Sequence, residues 1–141
     1  PTGTGKNFII THSLQSKVKY LILVPRIILM EQIRDEIIKY NPKMKSTIQL
    51  IGDSNREYKS DKNITICVYN SVDIIKEHIK SFDKIFVDEA HHIRKPEIYK
   101  DITEGSTFYH AYYVHPHWKL QEVKRIDNHI FYKEKQYYAN K

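Results

Sequence analysis

Apolar positions along the first 93 residues follow two alternating patterns, short continuous runs and runs with helical spacing. The run YLILV at residues 20–24 is apolar without interruption, which is typical of a strand buried on both faces. Residues 26–40, RIILMEQIRDEIIKY, place apolar side chains three and four positions apart, and Asn41 and Pro42 follow. This spacing predicts an amphipathic helix that ends at Asn41, and its apolar positions are Ile27, Met30, Ile33, Ile37 and Tyr40.

The same alternation continues along the chain. A strand is predicted in STIQLI at residues 46–51 and a buried strand in ITICVY at residues 64–69, with a turn-rich stretch between them. SVDIIKEHIKSF at residues 71–82 repeats the helical spacing, and KIFVDEAHH at residues 84–92 predicts a strand that runs into acidic residues. The order predicts an α/β fold, a parallel sheet with flanking helices, in which ligands bind at the carboxyl ends of the strands. The apolar face of the second helix comprises Val72, Ile75, Ile79 and Phe82.

The composition changes after Ile93, because seven of the eleven Tyr and four of the eight His residues lie between Tyr99 and Tyr138. We therefore predict a domain over residues 1–93 and a separate Tyr/His-rich segment over residues 94–141. Only NHIFYK in that segment is a candidate strand. A metal site on His110, His115 and His117, or base stacking by the aromatic residues, are alternatives to the favoured role in a core or interface.

Size and charge restrict the classes of protein. A chain of 141 residues with 40% hydrophobic residues can form one domain with a core. Lys and Arg outnumber Asp and Glu by 23 to 17, a formal charge of +6 that favours a polyanionic partner. No apolar run approaches the roughly 20 residues that cross a bilayer, and the pattern of a signal peptide is missing. We expect an intracellular, cytoplasmic protein with no membrane partner, in which Cys67 is a buried core residue.

The first seven residues, PTGTGKN, fit the phosphate-loop pattern G-x-x-x-x-G-K-[ST], whose first Gly would stand one position before residue 1. Glycines let backbone N–H groups surround phosphate oxygens, and the Lys ammonium reaches the outer phosphates. An ordinary turn before a helix is the alternative. Since no strand precedes the loop and residue 1 is not Met, we expect a fragment. The predicted nucleotide-binding residues are Thr2, Gly3, Thr4, Gly5, Lys6 and Asn7.

A second candidate site lies in DEAH at residues 88–91, after the last predicted strand. Carboxylate oxygens suit Mg²⁺, so Asp88 is a candidate metal ligand, and Glu89 is a candidate to polarise an attacking water. A surface acidic pair at a strand end is the alternative. The elements between Lys6 and Asp88 leave room for crossovers that bring both residues to one edge of a sheet.

These motifs, taken in order, resemble those of the N-terminal RecA-like ATPase domain of superfamily two helicases, the DEAD/DEAH-box and type III restriction enzyme relatives. PTGTGK resembles motif I, VPRIILMEQ resembles motif Ia, VYNSV resembles motif Ib and DEAH resembles motif II. The resemblance covers about residues 1–93. It implies a RecA-like P-loop NTPase fold, here incomplete, with ATP and Mg²⁺ as cofactors and ATP-driven movement on DNA or RNA.

The resemblance also implies a role for individual residues. Lys6 would bind phosphates, Asp88 together with Asn7 would hold Mg²⁺, and Glu89 would activate water. His91 would couple the ATP site to the nucleic-acid motifs. For Arg26, pairing with a nearby acid remains an equal alternative to phosphate contact. The residues implied to lie near nucleic acid are Pro25, Arg26, Tyr69, Asn70 and Ser71.

Two departures from the family pattern bear on activity. Asn7 replaces the Ser or Thr whose hydroxyl coordinates Mg²⁺, and its amide oxygen sits one bond farther out, so binding is expected to survive while hydrolysis weakens. No motif III is recognisable, and a second RecA-like domain is expected in the parent protein. We therefore expect unpaired backbone in the middle of the sheet, unless the Tyr-rich tail or another chain covers it, and little ATPase activity from the chain alone. A nucleic-acid-binding or interaction module derived from such an ATPase, with little or no turnover, is the alternative function.

Overall fold

The structure is a computed structural model that describes residues 6–52, 54–87, 107–114, 117–126 and 129–132. For residues 6–9 and for the strands after residue 106 only the backbone is described, apart from the side chain of Tyr109. No helix within these ranges is long and apolar enough to cross a membrane.

Three α-helices and seven strands make up the described fold. The helices are α1 (Lys6–Ser13), α2 (Ile27–Tyr40) and α3 (Val72–Ile75). Short 3-10 helices occupy Pro42–Thr47, Tyr69–Ser71 and Lys76–Ser81. The strands are β1 (Tyr20–Val24), β2 (Ile48–Ile51), β3 (Ile64–Val68), β4 (Lys84–Val87), β5 (Thr107–Val114), β6 (His117–Ile126) and β7 (His129–Tyr132).

All seven strands join one sheet in the order β2-β3-β1-β4-β5-β6-β7. Along this order, the five strands from β2 to β5 are parallel to one another, and β6 and β7 follow as antiparallel additions. The predicted α/β class with a parallel sheet is therefore confirmed. The observed bounds of β1 and α2 also match the predicted strand at residues 20–24 and the helix that ends before Asn41.

The central strand β1 is buried on both faces, because all five of its residues are completely inaccessible. Leu21 and Leu23 pack in one apolar cluster with the segment that includes α3. Tyr20, Ile22 and Val24 pack in a second cluster on the opposite face, with α1 and α2. The uninterrupted apolar run is thus explained by helical cover on both sides of the sheet.

The predicted helix over residues 71–82 forms only in part. Its four apolar positions are buried as expected, but α-helix is confined to α3 and a 3-10 helix follows it. Two causes favour the tighter helix. The segment is rich in β-branched residues and α3 has no side-chain cap. It must also return to the start of β4, and a 3-10 helix rises about 2.0 Å per residue against about 1.5 Å for an α-helix.

The Tyr-rich tail supplies the next strands of the sheet. The backbone of β5 pairs with β4 from Ile85 to Val87, so the tail covers the edge of β4 that was expected to need cover. The Tyr109 ring lies 5.5 Å from the Phe86 ring between centroids, and the Lys84 ammonium lies 5.7 Å from the Tyr109 centroid. The candidate strand NHIFYK is observed as β7. The predicted boundary at residue 93 stays a prediction.

Cys67 is fully buried in β3, as predicted for a core residue. Its thiol donates a hydrogen bond to the Val68 carbonyl oxygen at 3.2 Å. Burial, with a smaller contribution from the negative charge of Asp73, raises the pKa of this thiol to about 12. The thiol therefore stays protonated at neutral pH.

The central strand generates a stability prediction. Replacement Ile22→Ala should lower the free energy of unfolding by about 2–5 kcal/mol, because it opens a cavity where β1 is fully enclosed. Ile28→Ala is the matched control, since Ile28 is 55% exposed, and it should change stability by less than about 0.5 kcal/mol. Urea unfolding followed by circular dichroism measures both, and equal losses would contradict the central position of β1.

Candidate functional site

The parallel strands end together at one side of the sheet, which we call its carboxyl end, and begin together at the opposite side, its amino end. Val24 of β1 pairs with Val68 of β3, and Leu23 pairs with Val87 of β4. Adjacent strands lie about 4.8 Å apart, so the segments after β1 and β3 start side by side. The sequence predicted a ligand site where these strands end, and the fold gives the strands the parallel order that this requires.

Helix α1 begins toward the same end of the sheet. At its C-terminus, the Tyr20 hydroxyl donates to the Ser13 carbonyl at 3.4 Å and accepts from the Gln15 N–H at 2.7 Å, which fixes the end of α1 beside the start of β1. The His12 ring also lies 4.9 Å from the ring of Tyr40, the last residue of α2. The two helices therefore run in the same direction, and the positive ends of both dipoles lie toward the carboxyl end of the sheet.

Pro25 and Arg26 connect β1 to α2 at the carboxyl end. Arg26 has extended backbone, and its carbonyl oxygen accepts from the Leu29 N–H at 3.1 Å and the Met30 N–H at 3.3 Å, which starts the helix. Its side chain is exposed and forms no ion pair with any other described residue. No acidic residue occupies the first turn of α2. The guanidinium and the helix terminus thus place positive charge at this position, with no acidic partner among the described residues.

The three residues after β3 that were predicted to lie near nucleic acid differ in their exposure to solvent. Tyr69 and Ser71 are only 8% and 4% exposed, and Tyr69 packs in the core cluster with Leu21. Asn70 between them is exposed. The 3-10 conformation of this segment turns one side chain outward and two inward. Asn70 is therefore the residue of this motif whose side chain can reach a ligand at the surface.

A tight turn beside the carboxyl end of β3 was predicted only as part of a turn-rich stretch. Gly52 and Asn55 exchange two backbone hydrogen bonds of 2.9 Å, and the Asn55 amide donates to the Leu50 carbonyl at 2.5 Å. Gly52 has a φ of +151°, and a Cβ atom there would lie 2.7 Å from Val68 Cγ2. Turn signals in GDSN indicate a turn, but only the parallel pairing of β2 with β3 places it beside Val68.

Several predicted site residues lie outside what the structure describes. This holds for Thr2, Gly3, Thr4 and Gly5 of the loop, for Asp88, Glu89 and His91 after β4, and for the side chains of Lys6, Asn7 and the three tail histidines. Lys6 and Asn7 are the first two residues of α1. Within the described residues, no group of three or more His, Cys, Asp or Glu side chains could hold a metal ion.

Comparisons with known proteins agree with this fold. A family model described as "Type III restriction enzyme, res subunit" matches residues 1–114. The crystal structure of the UvsW helicase from bacteriophage T4 is similar, with a TM-score of 0.54, 25% sequence identity and 68% of this chain covered. The chain spans 36% of that helicase chain. The predicted RecA-like fold is confirmed by this similarity.

A second solved structure, a nuclease-deletion mutant of the type ISP restriction-modification enzyme LlaGI in complex with a DNA substrate mimic, gives a TM-score of 0.41 at 21% identity. The match covers 70% of this chain and 11% of that one. A search of curated proteins by sequence finds no match.

The turn at Gly52 gives a direct test of the local geometry. Gly52→Ala should lower the free energy of unfolding by about 1–3 kcal/mol, because the added Cβ meets Val68 and the φ disfavours side chains. Ser54→Ala, an exposed change in the same turn, is the control and should be nearly neutral. Thermal unfolding of the two variants measures the difference; two equally stable variants would rule out the tight approach.

Proposed function

Because the chain belongs to the type III restriction enzyme res subunit family of superfamily two helicases, we propose that it is the ATP-binding and ATP-hydrolysing module of a nucleic-acid helicase or translocase. The chain is a helicase-like module. The bound nucleotide, its turnover and the nucleic acid are parts of the proposal. A second RecA-like domain in the parent protein belongs to it as well, since the chain spans about a third of the UvsW helicase.

The observation that carries the proposal is the convergence at the carboxyl end of the sheet. Lys6 begins α1, whose N-terminus points toward that end, and Val87 ends β4 there, one residue before Asp88. The intervening β1 and β3 contribute Arg26 and Asn70 to the same side. A helix N-terminus binds anions through its free N–H groups, which suits the phosphates of a nucleotide.

In the proposed site each residue has one task. Lys6 and the loop of Gly3 and Gly5 would bind the phosphates, Asp88 would hold Mg²⁺, and Glu89 would orient and polarise the attacking water. A bound magnesium ion would neutralise developing charge on the phosphates. His91 couples this site to the nucleic-acid contacts. The donor types fit the group, because carboxylate and amide oxygens are the hard ligands that Mg²⁺ prefers.

The proposed nucleic-acid contact rests on two accessible side chains and the backbone around them. Arg26 is exposed, has no described acidic partner and sits at the N-terminus of α2, which favours contact with a phosphate over pairing with an acid. The side-chain amide of Asn70 would contact the same nucleic acid as Arg26. Pro25 shapes the turn before α2. Buried Tyr69 and Ser71 hold the 3-10 segment in place, and they contribute backbone groups to the contact.

The second candidate function is a nucleic-acid-binding or interaction module that keeps the fold and has lost most turnover. Asn7 is the observation that favours it, because the longer side chain disturbs the octahedral geometry that Mg²⁺ requires. Both candidates share the nucleotide site and the nucleic-acid contacts, so they differ only in hydrolysis.

Nucleotide binding tests the shared part of both candidates. Lys6→Ala should weaken binding of a fluorescent ATP analogue to the chain at least about tenfold, because the variant has no ammonium to pair with the phosphates. Lys76→Ala removes the same charge from the segment after α3 and should leave the affinity unchanged. Fluorescence titration measures both. Equal affinity of the Lys6 variant and the parent chain would refute the phosphate loop.

Turnover separates the two candidates. Asn7→Thr restores a hydroxyl at the metal position, and in the complete protein it should raise the magnesium-dependent ATPase rate roughly tenfold, a change of about 1.4 kcal/mol in the barrier. Nucleotide affinity measured beside the rate should stay nearly constant. Equal ATPase rates for the Asn7 and Thr forms would contradict this role of Asn7. A high ATPase rate in the Asn7 form would exclude the second candidate, the module with little or no turnover.

A further inference from the structure

The basic excess of the chain is concentrated in the four segments that lead into the parallel strands β1 to β4. These segments, residues 14–19, 41–47, 58–63 and 80–84, contain eight Lys and two Asp, a net charge of +6. The formal charge of the whole chain is also +6, so the remaining residues balance to zero. Each segment contributes two lysines, and these are Lys17 and Lys19, Lys43 and Lys45, Lys59 and Lys62, and Lys80 and Lys84.

The topology gathers these segments at the amino end of the sheet, opposite the proposed ATP site. Parallel strands begin at the same side, and here the first residues are in register, with Tyr20 beside both Ile64 and Lys84. Hydrogen bonds join neighbouring segments, from the Tyr20 N–H to the Asn63 carbonyl at 2.7 Å and from the Asp83 N–H to the Lys19 carbonyl at 2.7 Å. The segments that carry the lysines therefore lie side by side at this end of the sheet.

Three of the eight lysine side chains have a ring or hydrogen-bond contact with another described residue. The Lys19 ammonium lies 5.6 Å from the ring centroid of Tyr58 and 5.7 Å from that of Phe82. Lys62 donates to the Ser46 carbonyl at 2.8 Å, and Lys84 lies over Tyr109. The other five are exposed and form no ion pair with any residue whose side chain is described. They are Lys17, Lys43, Lys45, Lys59 and Lys80.

Neutral hydrogen-bond donors accompany the charge. A groove of about 340 Å³ opens at this end of the sheet between the end of α1 and the segment before β2. Its lining combines apolar residues such as Leu14 and Met44 with polar ones, and the polar ones include Lys43, Gln15, Asn41 and Asn63. Lysine together with amide donors is the combination that proteins direct at phosphate and sugar oxygens of nucleic acids.

We propose that the amino end of the sheet is a second nucleic-acid-binding surface, and that its ligand is the phosphate backbone of a duplex. Three strand spacings separate β2 from β4, about 14 Å, and a duplex presents roughly eight phosphates over that length. This surface goes beyond the proposed function, because β1 alone separates it from the carboxyl end by about 16 Å.

A duplex fits better than a single strand. Unpaired bases need accessible aromatic faces on which to stack. At this surface Tyr58 is stacked on His78 at 4.4 Å between centroids, and Phe82 is only 8% exposed. Tyr40 at the end of α2 is 46% exposed, but its ring lies 4.9 Å from the His12 ring and 5.3 Å from the Lys39 ammonium. The exposed lysines outnumber the exposed Asp61 and Asp83, and ammonium and amide donors recognise backbone without base specificity.

Salt dependence of binding by the full 141-residue chain tests the surface. The probes are DNA and RNA duplexes of about 20 base pairs, and affinity is measured by fluorescence anisotropy at several NaCl concentrations. The magnitude of the slope of log K against log[NaCl] is about 0.9 for each phosphate that the protein neutralises. The variant K43Q/K45Q should therefore reduce this magnitude by about 2, and K43Q/K45Q/K59Q/K80Q by about 3–4.

A second double variant with the same change in net charge shows whether the position of the lost charges matters. The variant R34Q/K76Q also removes two positive charges, but from the middle of α2 and the segment after α3. It should keep nearly the parent slope. A reduction as large as that of K43Q/K45Q would overturn the proposal, and so would a fourfold variant with the parent slope. The fourfold variant should still bind the fluorescent ATP analogue, which separates this surface from the nucleotide site.

Two further measurements use other probes. Acetic anhydride labelling of the parent chain, read by mass spectrometry, should show Lys43, Lys45, Lys59 and Lys80 protected by a duplex and Lys76 unprotected; equal labelling with and without duplex overturns the proposal without any variant. Vesicles of anionic phospholipid test a membrane surface instead. If the fourfold variant loses vesicle binding and keeps duplex binding, the surface is not a nucleic-acid site.

Discussion

The pairing of β1 on both sides is the constraint on which the rest of the structure depends. This strand lies between β3 and β4, and all five of its residues are excluded from water. Its backbone N–H and C=O groups must therefore find partners in neighbouring strands, since an unpaired buried group costs stability. Parallel neighbours require crossover connections, and α2 and the segment of α3 provide them on opposite faces.

That arrangement separates two surfaces with different chemistry. The carboxyl end receives the N-termini of α1 and α2 together with Arg26 and Asn70, so it combines helix dipoles with a few directed donors. The amino end receives the segments before the strands, and these carry a net charge of +6, equal to the formal charge of the whole chain. The proposed nucleotide site and the proposed surface for a duplex therefore lie at opposite ends of one sheet, about 16 Å apart.

Within the described ranges, the strands of the tail continue the sheet. β5 continues the parallel order beyond β4, and the antiparallel β6 and β7 follow. The matched family region ends at residue 114, the last residue of β5. The aromatic character of this strand has a structural use, because Tyr109 packs against Phe86 and lies under the Lys84 ammonium. Its backbone also satisfies groups of β4 that would otherwise face an open edge.

Local patterns in the sequence determined the bounds of β1 and α2, the burial of Cys67, and the α/β class. Burial on both faces of a strand requires a continuous apolar run, and burial of one helix face requires apolar residues three and four positions apart, so both can be recognised in the sequence. They also carried the motifs that identify the family. Only the tertiary structure decided that Tyr69 and Ser71 turn inward, that the helix over residues 71–82 tightens to 3-10 geometry, and that the segments with the four lysine pairs, far apart in sequence, lie side by side. Those outcomes depend on which strands pair and in what register, and strand pairing is set by contacts between distant residues.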